Sequence, residues 1–329
     1  MNRLIEIVRG FADRRMVIVG DAIADQFLYG NISRVSREAP VFILKHEQTQ
    51  TVPGGAANCA MNAASLGARV SLIAAVGNDE AGRELRAKLE AAGVDVSGVI
   101  VTDKIQTTTK VRILAGISHS NKQQVIRIDY EGLPLSDVEA LDSIVNTLKN
   151  VLPAADGVVI SDYTYGVIND SVIDAIREST SKPVLVDSRH RLSAYKRFTA
   201  ATPNEDELEH SMGHEVALKV QLEFAARALK NKIKHEALLV TRGAKGMMLL
   251  EGDEPPLYIP AVGSQQSVDV TGAGDTVIAT FALGLASGAS FADAARLANH
   301  AGGLVVMKRG TACVTPAELE HSILNSEND

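Results

Sequence analysis

Short apolar runs alternate with amphipathic segments along most of the chain. Runs of β-branched residues bounded by Gly, Asp or Ser predict buried strands, and segments with a 3.6-residue apolar period predict helices. The predicted strands lie at 14–23, 70–77, 157–163, 183–188 and 236–243. The predicted helices lie at about 54–68, 79–92, 136–150, 169–180 and 215–232, with one more from about Asn204. Apolar strands that alternate with helices of 10–15 residues indicate an α/β fold with a mostly parallel central sheet.

Two segments do not follow this pattern, at about 24–50 and 105–131. VFILKHEQTQTV (41–52), TTTKVRIL (107–114) and QQVIRIDYE (123–131) alternate polar and apolar residues. Such alternation suits a small, half-exposed sheet. We predict one domain over residues 1–329, in which helices flank the central sheet and these two segments are inserted as a small β-sheet lid.

Composition excludes several classes of protein. A chain of 329 residues can bury roughly 75% of its unfolded surface, so it needs no disulfide or metal to fold. The net charge of −7 gives no sign of a nucleic-acid partner. Cys59 and Cys313 form no CxxC pair. The N-terminus lacks the apolar core of a signal peptide, and no run approaches the ~20 apolar residues of a membrane span, so we expect a cytoplasmic protein without a membrane partner.

The stretch VDVTGAGDTVIATF (268–281) combines glycines, a carboxylate and an apolar helix. A strand reaching Val270 and a helix starting near Ala273 would place this turn at the ligand-binding edge of the sheet. Free N–H groups of the first helical turn favour an anion, and the glycines let a ligand approach. Asp275 could then accept a proton from an attacking hydroxyl. Alternatively, Asp275 is an ordinary first-turn acid and the glycines only make the turn.

Two further stretches carry polar groups suited to a sugar. PGGAANCA (53–60) places paired glycines before a helix, and the Asn58 amide can donate to and accept from hydroxyls. Close packing of a small-residue helix is the alternative. Asp21 and Asp25 follow the first strand, where carboxylates can accept hydroxyls of a polyol. A turn-forming role is the alternative for both.

Two stretches suit a nucleotide and its metal. In TPNEDELE (202–209), Asn204 and Glu207 share one face of a helix start, where they could act near Mg²⁺; a capping box is the alternative. VTRGAKG (240–246) joins a strand end, Arg242 and two glycines, which could hold phosphates or form a hairpin turn. The sequence contains no GxxxxGK[ST], no GxGxxG after the first strand and no HExxH. A Walker-type NTPase, a Rossmann oxidoreductase and a zinc hydrolase therefore lose their main support.

Together these motifs resemble the ribokinase-like (PfkB) family of carbohydrate kinases. DVTGAGD (269–275) resembles its C-terminal signature, PGGAANCA its N-terminal glycine motif, and Asn204–Glu207 its N-x-x-E motif. A narrower resemblance, to the D-glycero-β-D-manno-heptose 7-phosphate kinases, adds stretches at 20–45, 123–131, 161–167 and 269–288. Those enzymes serve ADP-heptose synthesis for lipopolysaccharide, often as the first half of a bifunctional protein with an adenylyltransferase. Because the chain ends at Asp329, we expect the stand-alone kinase and a separate adenylyltransferase.

The resemblance implies a role for each matching residue. Asp275 would be the base that deprotonates the anomeric O1 hydroxyl as it attacks the ATP γ-phosphate, giving the 1,7-bisphosphate. Gly272, Ala273 and Gly274 would supply the anion hole, and Asn204 and Glu207 would act on Mg²⁺ through water or phosphate. The nucleotide side would include Thr241, Arg242 and Gly243. The sugar hydroxyls would contact Asp21, Gly54, Gly55, Asn58 and Asp162. K⁺ near the anion hole, as in some relatives, is left open.

A phosphorylated acceptor needs cations, and the lid segments supply several. We favour Lys110, Arg112 and Arg127, because charge-assisted contacts are the strong ones; a solvated surface charge is the alternative for each. Relatives often read V-D-P-K where this chain has Val186–Arg189, which puts a role for Arg189 in doubt. The lid also forms dimer contacts in the wider family, and an exposed sheet needs cover, so we expect a homodimer.

Two other functions stay open at this point. The acceptor could be ribose, fructose or fructose 6-phosphate rather than the heptose 7-phosphate. The chain could also be a sugar or nucleotide sensor without catalytic activity. A sensor needs no proton acceptor, so Asp275 together with Asn204 and Glu207 favours the enzyme.

Overall fold

Strands of the protein form two sheets in this computed structural model, which describes residues 2–117, 122–263 and 267–326. The strands are β1 (Arg15–Gly20), β2 (Ala22–Val35), β3 (Phe42–Gly55), β4 (Arg69–Gly77), β5 (Val99–Thr102), β6 (Thr109–Gly116), β7 (Gln123–Tyr130), β8 (Gly157–Asp162), β9 (Val184–Ser188), β10 (Ala200–Ala201), β11 (Ala237–Thr241), β12 (Met247–Glu251) and β13 (Leu257–Ile259).

The helices pack on both faces of the larger sheet. They are α1 (Asn2–Arg9), α2 (Ala56–Ser65), α3 (Glu80–Ala91), α4 (Val138–Val151), α5 (Asp170–Ser179), α6 (Glu205–Met212), α7 (Lys219–Ile233), α8 (Ala273–Ala286), α9 (Phe291–Val305) and α10 (Pro316–Asn325). One apolar core contains side chains of α1–α3 and α8–α10, and a second contains side chains of α4–α7. Because both faces are covered, central strands such as β1 and β8 are apolar and buried along nearly their whole length.

The larger sheet has the order β13-β12-β11-β10-β9-β8-β1-β4-β5. Neighbours from β11 to β5 pair in parallel, and β12 and β13 are antiparallel at one edge. The predicted mostly parallel sheet is therefore confirmed. Parallel strands bring their carboxyl ends to one edge, and at that edge open α/β sheets bind ligands. The chain segments that follow β8, β9, β10 and β11 meet there.

The smaller sheet, which we call the lid, has the order β3-β2-β6-β7 and comes from the two segments predicted to form it. Its register places Asp25 opposite Lys110, and Arg112 opposite both Phe27 and Arg127. Because side chains alternate between the faces of a strand, these residues share one face. That face is turned toward the carboxyl edge of the larger sheet.

Local details differ from the sequence prediction near the glycine turn. The strand expected to reach Val270 is absent among the described residues 267–272, where the backbone is irregular and Val268 and Val270 are exposed. The predicted helix does begin at Ala273. Gly243–Gly246 forms the hairpin turn between β11 and β12, the alternative considered for that stretch. No helix within the described ranges is long and apolar enough to cross a bilayer.

Candidate active site

Two adjoining clefts open at the carboxyl edge of the larger sheet. The polar cleft, of about 800 Å³, lies between the two sheets and is lined chiefly by Asp25, Gly55, Lys110, Arg112, Arg127, Tyr163, Asp187, Arg189, Asn204, Glu207, Gly272 and Asp275. The apolar cleft, of similar size, is lined chiefly by Gly243, Ala244, Met247, Val262, Val270, Ala273, Val277 and Val306. Because Thr241 and Gly274 line both clefts as a shared wall, two ligands could meet there end to end.

The start of α8 lies at this shared wall. Gly272 caps the helix with a left-handed backbone (φ 77°), and a Cβ there would lie 2.4 Å from Asn58 Nδ2. The first N–H groups of a helix have no intrahelical partner, and they favour an anion. The Ala273 N–H, one of the three predicted for the anion hole, donates to Val270 O at 3.2 Å. Gly272 and Gly274, which both line the polar cleft, remain candidates for it.

Asp275 follows in the first turn of α8, and its carboxylate is only 5% exposed. Asn58 Nδ2 donates to Oδ2 at 2.8 Å, and the Tyr163 hydroxyl donates to Oδ1 at 3.3 Å. Burial raises the pKa of Asp275 from 3.8 to about 7; the Asp25 and Glu207 carboxylates add to this rise, and the two hydrogen bonds oppose it. A carboxylate that exchanges its proton near neutral pH, at the wall of a cleft, is suited to general base catalysis.

Asn204 and Glu207 are both a capping box and part of the polar cleft. The Glu207 N–H donates to Asn204 Oδ1 at 2.7 Å, and the Asn204 N–H donates to Glu207 Oε2 at 3.0 Å. These bonds fix both side chains at the N-terminus of α6. Burial raises the pKa of Glu207. Asn204 and Glu207 therefore form the capping box that was considered as the alternative, and both still line the polar cleft.

Asp187, at the end of β9, is a cleft residue that the sequence analysis did not select. Burial and the nearby Glu207 and Asp275 carboxylates raise its pKa well above the ordinary value. The signal available in the sequence was its place at the carboxyl end of a buried strand. No cluster of three His, Cys, Asp or Glu side chains in the described ranges could hold a metal ion by itself. A cation at Asp187 and Glu207 would thus need further oxygen ligands from a substrate or water.

Asp21 and Asp162 do not line the polar cleft, and their expected contact with sugar hydroxyls stays a prediction. The Asp21 carboxylate accepts the N–H groups of Tyr163 (2.8 Å), Tyr165 (3.0 Å) and Val167 (3.2 Å). The Asp162 carboxylate accepts the hydroxyls of Ser188 (3.0 Å) and Tyr195 (2.5 Å). Both are buried and hold the loops that follow the strands.

The glycine motif also departs in part from its expected role. Gly55 lines the polar cleft, whereas Gly54 packs against the Asp25 carboxylate, where a Cβ would lie 2.4 Å from Oδ2. The Asn58 amide is 1% exposed and points at Asp275 and the Gly272 carbonyl rather than into the cleft. Asp25 is the carboxylate of this region that reaches the cleft.

All three lid cations that the sequence favoured line the polar cleft. Lys110 is only 8% exposed, its ammonium lies 5.9 Å from the ring centres of Tyr163 and Tyr165, and burial lowers its pKa. Arg112 forms an ion pair with Asp25. Arg127 pairs with Asp129 on its own strand and is more exposed. Arg189, which follows β9, lines the same cleft, so four cations line it and three of them come from the lid.

The residues expected beside a nucleotide separate into two groups. Thr241 and Gly243 line the apolar cleft. Arg242 does not, because its Nε donates to Glu205 Oε1 at 2.9 Å and its guanidinium lies over the Tyr258 ring at 5.5 Å. Arg242 therefore joins α6 to the antiparallel edge of the sheet.

Comparisons with known proteins agree with this architecture. The family model described as pfkB family carbohydrate kinase matches residues 13–318. The chain is 41% identical over 325 residues to the bifunctional protein HldE of Caulobacter vibrioides, and 38% identical over 314 residues to that of Desulfatibacillum aliphaticivorans. These matches cover 97% and 94% of this chain but 65% and 63% of the relatives, so the chain spans less than two thirds of their length.

Solved structures with the same fold include two sugar kinases. Arabidopsis thaliana ribokinase complexed with ribose and ATP aligns with a TM-score of 0.74 at 22% identity, covering 94% of this chain and 98% of that one. Escherichia coli phosphofructokinase-2 in complex with potassium aligns with a TM-score of 0.78 at 19% identity, covering 95% and 99%. With the family model spanning nearly the whole chain, this protein belongs to the pfkB family of carbohydrate kinases.

Proposed function

We propose that this kinase transfers the γ-phosphoryl group of ATP to O1 of D-glycero-β-D-manno-heptose 7-phosphate. The product would be the 1,7-bisphosphate, an intermediate of ADP-heptose synthesis for the lipopolysaccharide core. The observation that carries the proposal is the position of Asp275, a buried proton acceptor that lines the polar cleft directly after Gly274, which lines both clefts. ATP is the donor, so we place the reaction in the cytoplasm.

Each cleft offers the chemistry that one substrate needs. The apolar cleft suits the adenine and ribose, and its shared wall at Gly274 suits the phosphates. Asp275 would take the proton from the sugar hydroxyl while that oxygen bonds to the γ-phosphorus and ADP departs with the electrons of the broken P–O bond. The helix N-terminus at Gly272 and Gly274 would stabilise the negative charge on the transferred group.

The carboxylates of the polar cleft fit a magnesium ion only together with phosphate oxygens. Mg²⁺ usually keeps one or two carboxylates plus substrate phosphates and water as ligands. Asp187 and Glu207 supply two carboxylates there, and the Asn204 amide lies beside them. When bound, Mg²⁺ would neutralise charge on the ATP phosphates. Whether K⁺ is required, which the sequence leaves open, can be tested by exchanging KCl for NaCl.

A phosphorylated sugar fits the polar cleft better than ribose or fructose. The buried ammonium of Lys110 has no carboxylate within ion-pair distance in the described part of the chain, and a buried charge is costly unless paired. A phosphate group on the acceptor would supply the missing anion. Fructose 6-phosphate satisfies the same requirement. The heptose is favoured by the stretches at 20–45 and 161–167 and by relatives that are bifunctional proteins.

The outer face of the lid supports the proposed homodimer. Strand alternation places Ile126, Ile128 and Tyr130 on the face opposite to Arg127, and these side chains are 39–52% exposed. Beside them on the same face lie Val111 and Ile113. An exposed apolar sheet face with a free edge strand favours a protein partner, and a second copy of the chain is our proposal for it.

Mass spectrometry of the product tests the proposed function. Incubation with ATP, MgCl₂ and heptose 7-phosphate should give a compound heavier by one phosphoryl group, and ³¹P NMR should place the new phosphate on O1. Release of ADP should be faster with this acceptor than with ribose, fructose or fructose 6-phosphate. Binding of sugar and ATP without any ADP would instead favour the sensor.

A further inference from the structure

A chain of buried polar side chains lies behind Asp275, away from the polar cleft. It contains Asn58 and Asn62 on α2 and Thr276 on α8, which are all at most 1% exposed. The Thr276 hydroxyl donates to Asn62 Oδ1 at 2.9 Å, and Asn62 Nδ2 donates to Asn58 Oδ1 at 3.1 Å. Asn58 Nδ2 then donates to Asp275 Oδ2 at 2.8 Å. Four side chains thus form one directed series of hydrogen bonds that ends on the carboxylate.

The direction of this series is fixed by a backbone carbonyl. Asn62 Nδ2 also donates to the Asn58 backbone O at 3.0 Å, and a carbonyl oxygen can only accept. The amide nitrogen of Asn62 must therefore face Asn58, and the atom of the Asn58 amide that it meets must be the oxygen. The amide nitrogen of Asn58 is then turned to Asp275. If the Asn58 amide were reversed, its oxygen would lie against the carboxylate oxygen.

We propose that Asn62 and Thr276 are positioning residues for catalysis, which hold the Asn58 amide with its nitrogen toward the Asp275 carboxylate. The inference rests on the proposed role of Asp275 as the base. Neither residue contacts the polar cleft, so neither touches a substrate. Their main effect would reach the reaction through the hydrogen bond that Asn58 donates; the Thr276 hydroxyl also lies 3.3 Å from the Gly272 carbonyl oxygen.

The consequence is a change in proton affinity at Asp275. A hydrogen bond donated to a carboxylate stabilises the charged form, so losing it raises the pKa of Asp275. Other groups that act on this carboxylate are Tyr163, Asp25, Glu207, Asp187 and Cys59. These groups stay in place in variants of Asn62 and Thr276. A difference in the pKa of Asp275 between variants therefore measures the effect of the buried series of hydrogen bonds.

The test uses the full-length protein and a readout that needs no substrate. With ¹³C-labelled aspartate, the carboxyl resonance of Asp275 is assigned by its absence in Asp275→Asn and titrated by NMR. Asn62→Leu keeps the volume of the side chain but leaves Asn58 Oδ1 without its donor. We expect the pKa of Asp275 to rise by about one unit, the size expected for a hydrogen bond to a charged group.

Variants on α8 supply the matched comparison. Thr276→Val keeps the shape but removes the hydroxyl, and because hydrogen bonds in a series polarise one another, we expect a smaller rise of about 0.3 unit. Thr276→Ser keeps the hydroxyl and should behave as the wild type. Thr280→Val is the control one turn later: Thr280 is equally buried, but its hydroxyl donates only to the Thr276 carbonyl. It should leave the titration unchanged.

The acid limb of kcat against pH, measured with heptose 7-phosphate and Mg-ATP, should shift upward by the same amounts. Unaltered titration of Asp275 in folded Asn62→Leu would overturn the inference. If that variant does not fold, Thr276→Val decides: a titration equal to that of Thr280→Val overturns it, and a rise supports it. Failure of the proposed function is separate, since it would appear as an active Asp275→Asn variant or as no product from heptose 7-phosphate.

Discussion

Replacing Asp275 by Asn should stabilise the fold while it impairs the enzyme. Burial raises the pKa of this carboxyl from 3.8 to about 7, so the folded protein prefers the neutral form. A rise of about 3 units corresponds to about 4 kcal/mol, at about 1.4 kcal/mol per unit. The asparagine side chain has nearly the same shape, carries no charge and can still accept from Asn58. The variant therefore escapes the cost of burying the anion.

The pH dependence isolates this effect from any other consequence of the substitution. For an acid whose pKa is raised by folding, the folded state binds more protons than the unfolded state between the two values. Stability is therefore lost as the pH rises from about 4 to about 7, and the loss is complete above that range. The gain of the variant over the wild type should grow by between about 2 and 3 kcal/mol from pH 5 to pH 8.

Urea denaturation followed by far-UV circular dichroism measures this difference, because the chain has no tryptophan for fluorescence. Asp103→Asn, at an exposed turn, is the control for removing one negative charge. We expect this control to lack the gain of Asp275→Asn, since Asp103 is exposed and not buried. An equal gain in the free energy of unfolding of Asp275→Asn at pH 5 and pH 8 would refute the reasoning, because the pKa of the Asp275 carboxyl would then not be raised by burial.

Four further outcomes follow from the site and from the outer face of the lid. Asp275→Asn should lower turnover on the order of 10²-fold or more with ATP still bound, as measured by ADP release and by ATP titration calorimetry. Lys110→Met should raise the KM for heptose 7-phosphate about 10-fold or more, and change that for the unphosphorylated heptose much less. Gly272→Ala should abolish turnover in a folded protein, because its Cβ would displace the Asn58 amide. In light scattering, Ile126→Glu should give monomers, whereas Val220→Glu, at an exposed apolar residue on α7, should not.

Periodicity and local turn signals predicted the architecture, but they could not predict which carboxylates line the polar cleft. The start of α8 at Ala273 and the alternating lid strands depend on residues close in sequence. Asp21 and Asp25 look alike at that level. What separates them is the loop at 163–167, which donates three N–H groups to Asp21 from about 140 residues away. Asp162 and Asp187 likewise both end buried strands, and only Asp162 meets Ser188 and Tyr195.

The structural and functional interpretations of a motif turned out not to exclude each other. Asn204 and Glu207 complete a capping box, and that box is what holds their side chains at the wall of the polar cleft. Asn58 packs within a small-residue helix, and its amide donates to Asp275. A catalytic group must be held in one geometry, and a side chain with its hydrogen bonds already satisfied by the fold is held in this way. At the carboxyl edge of a parallel sheet, a capping box or a tightly packed helix can therefore hold a site residue in place, and finding one does not argue against a site.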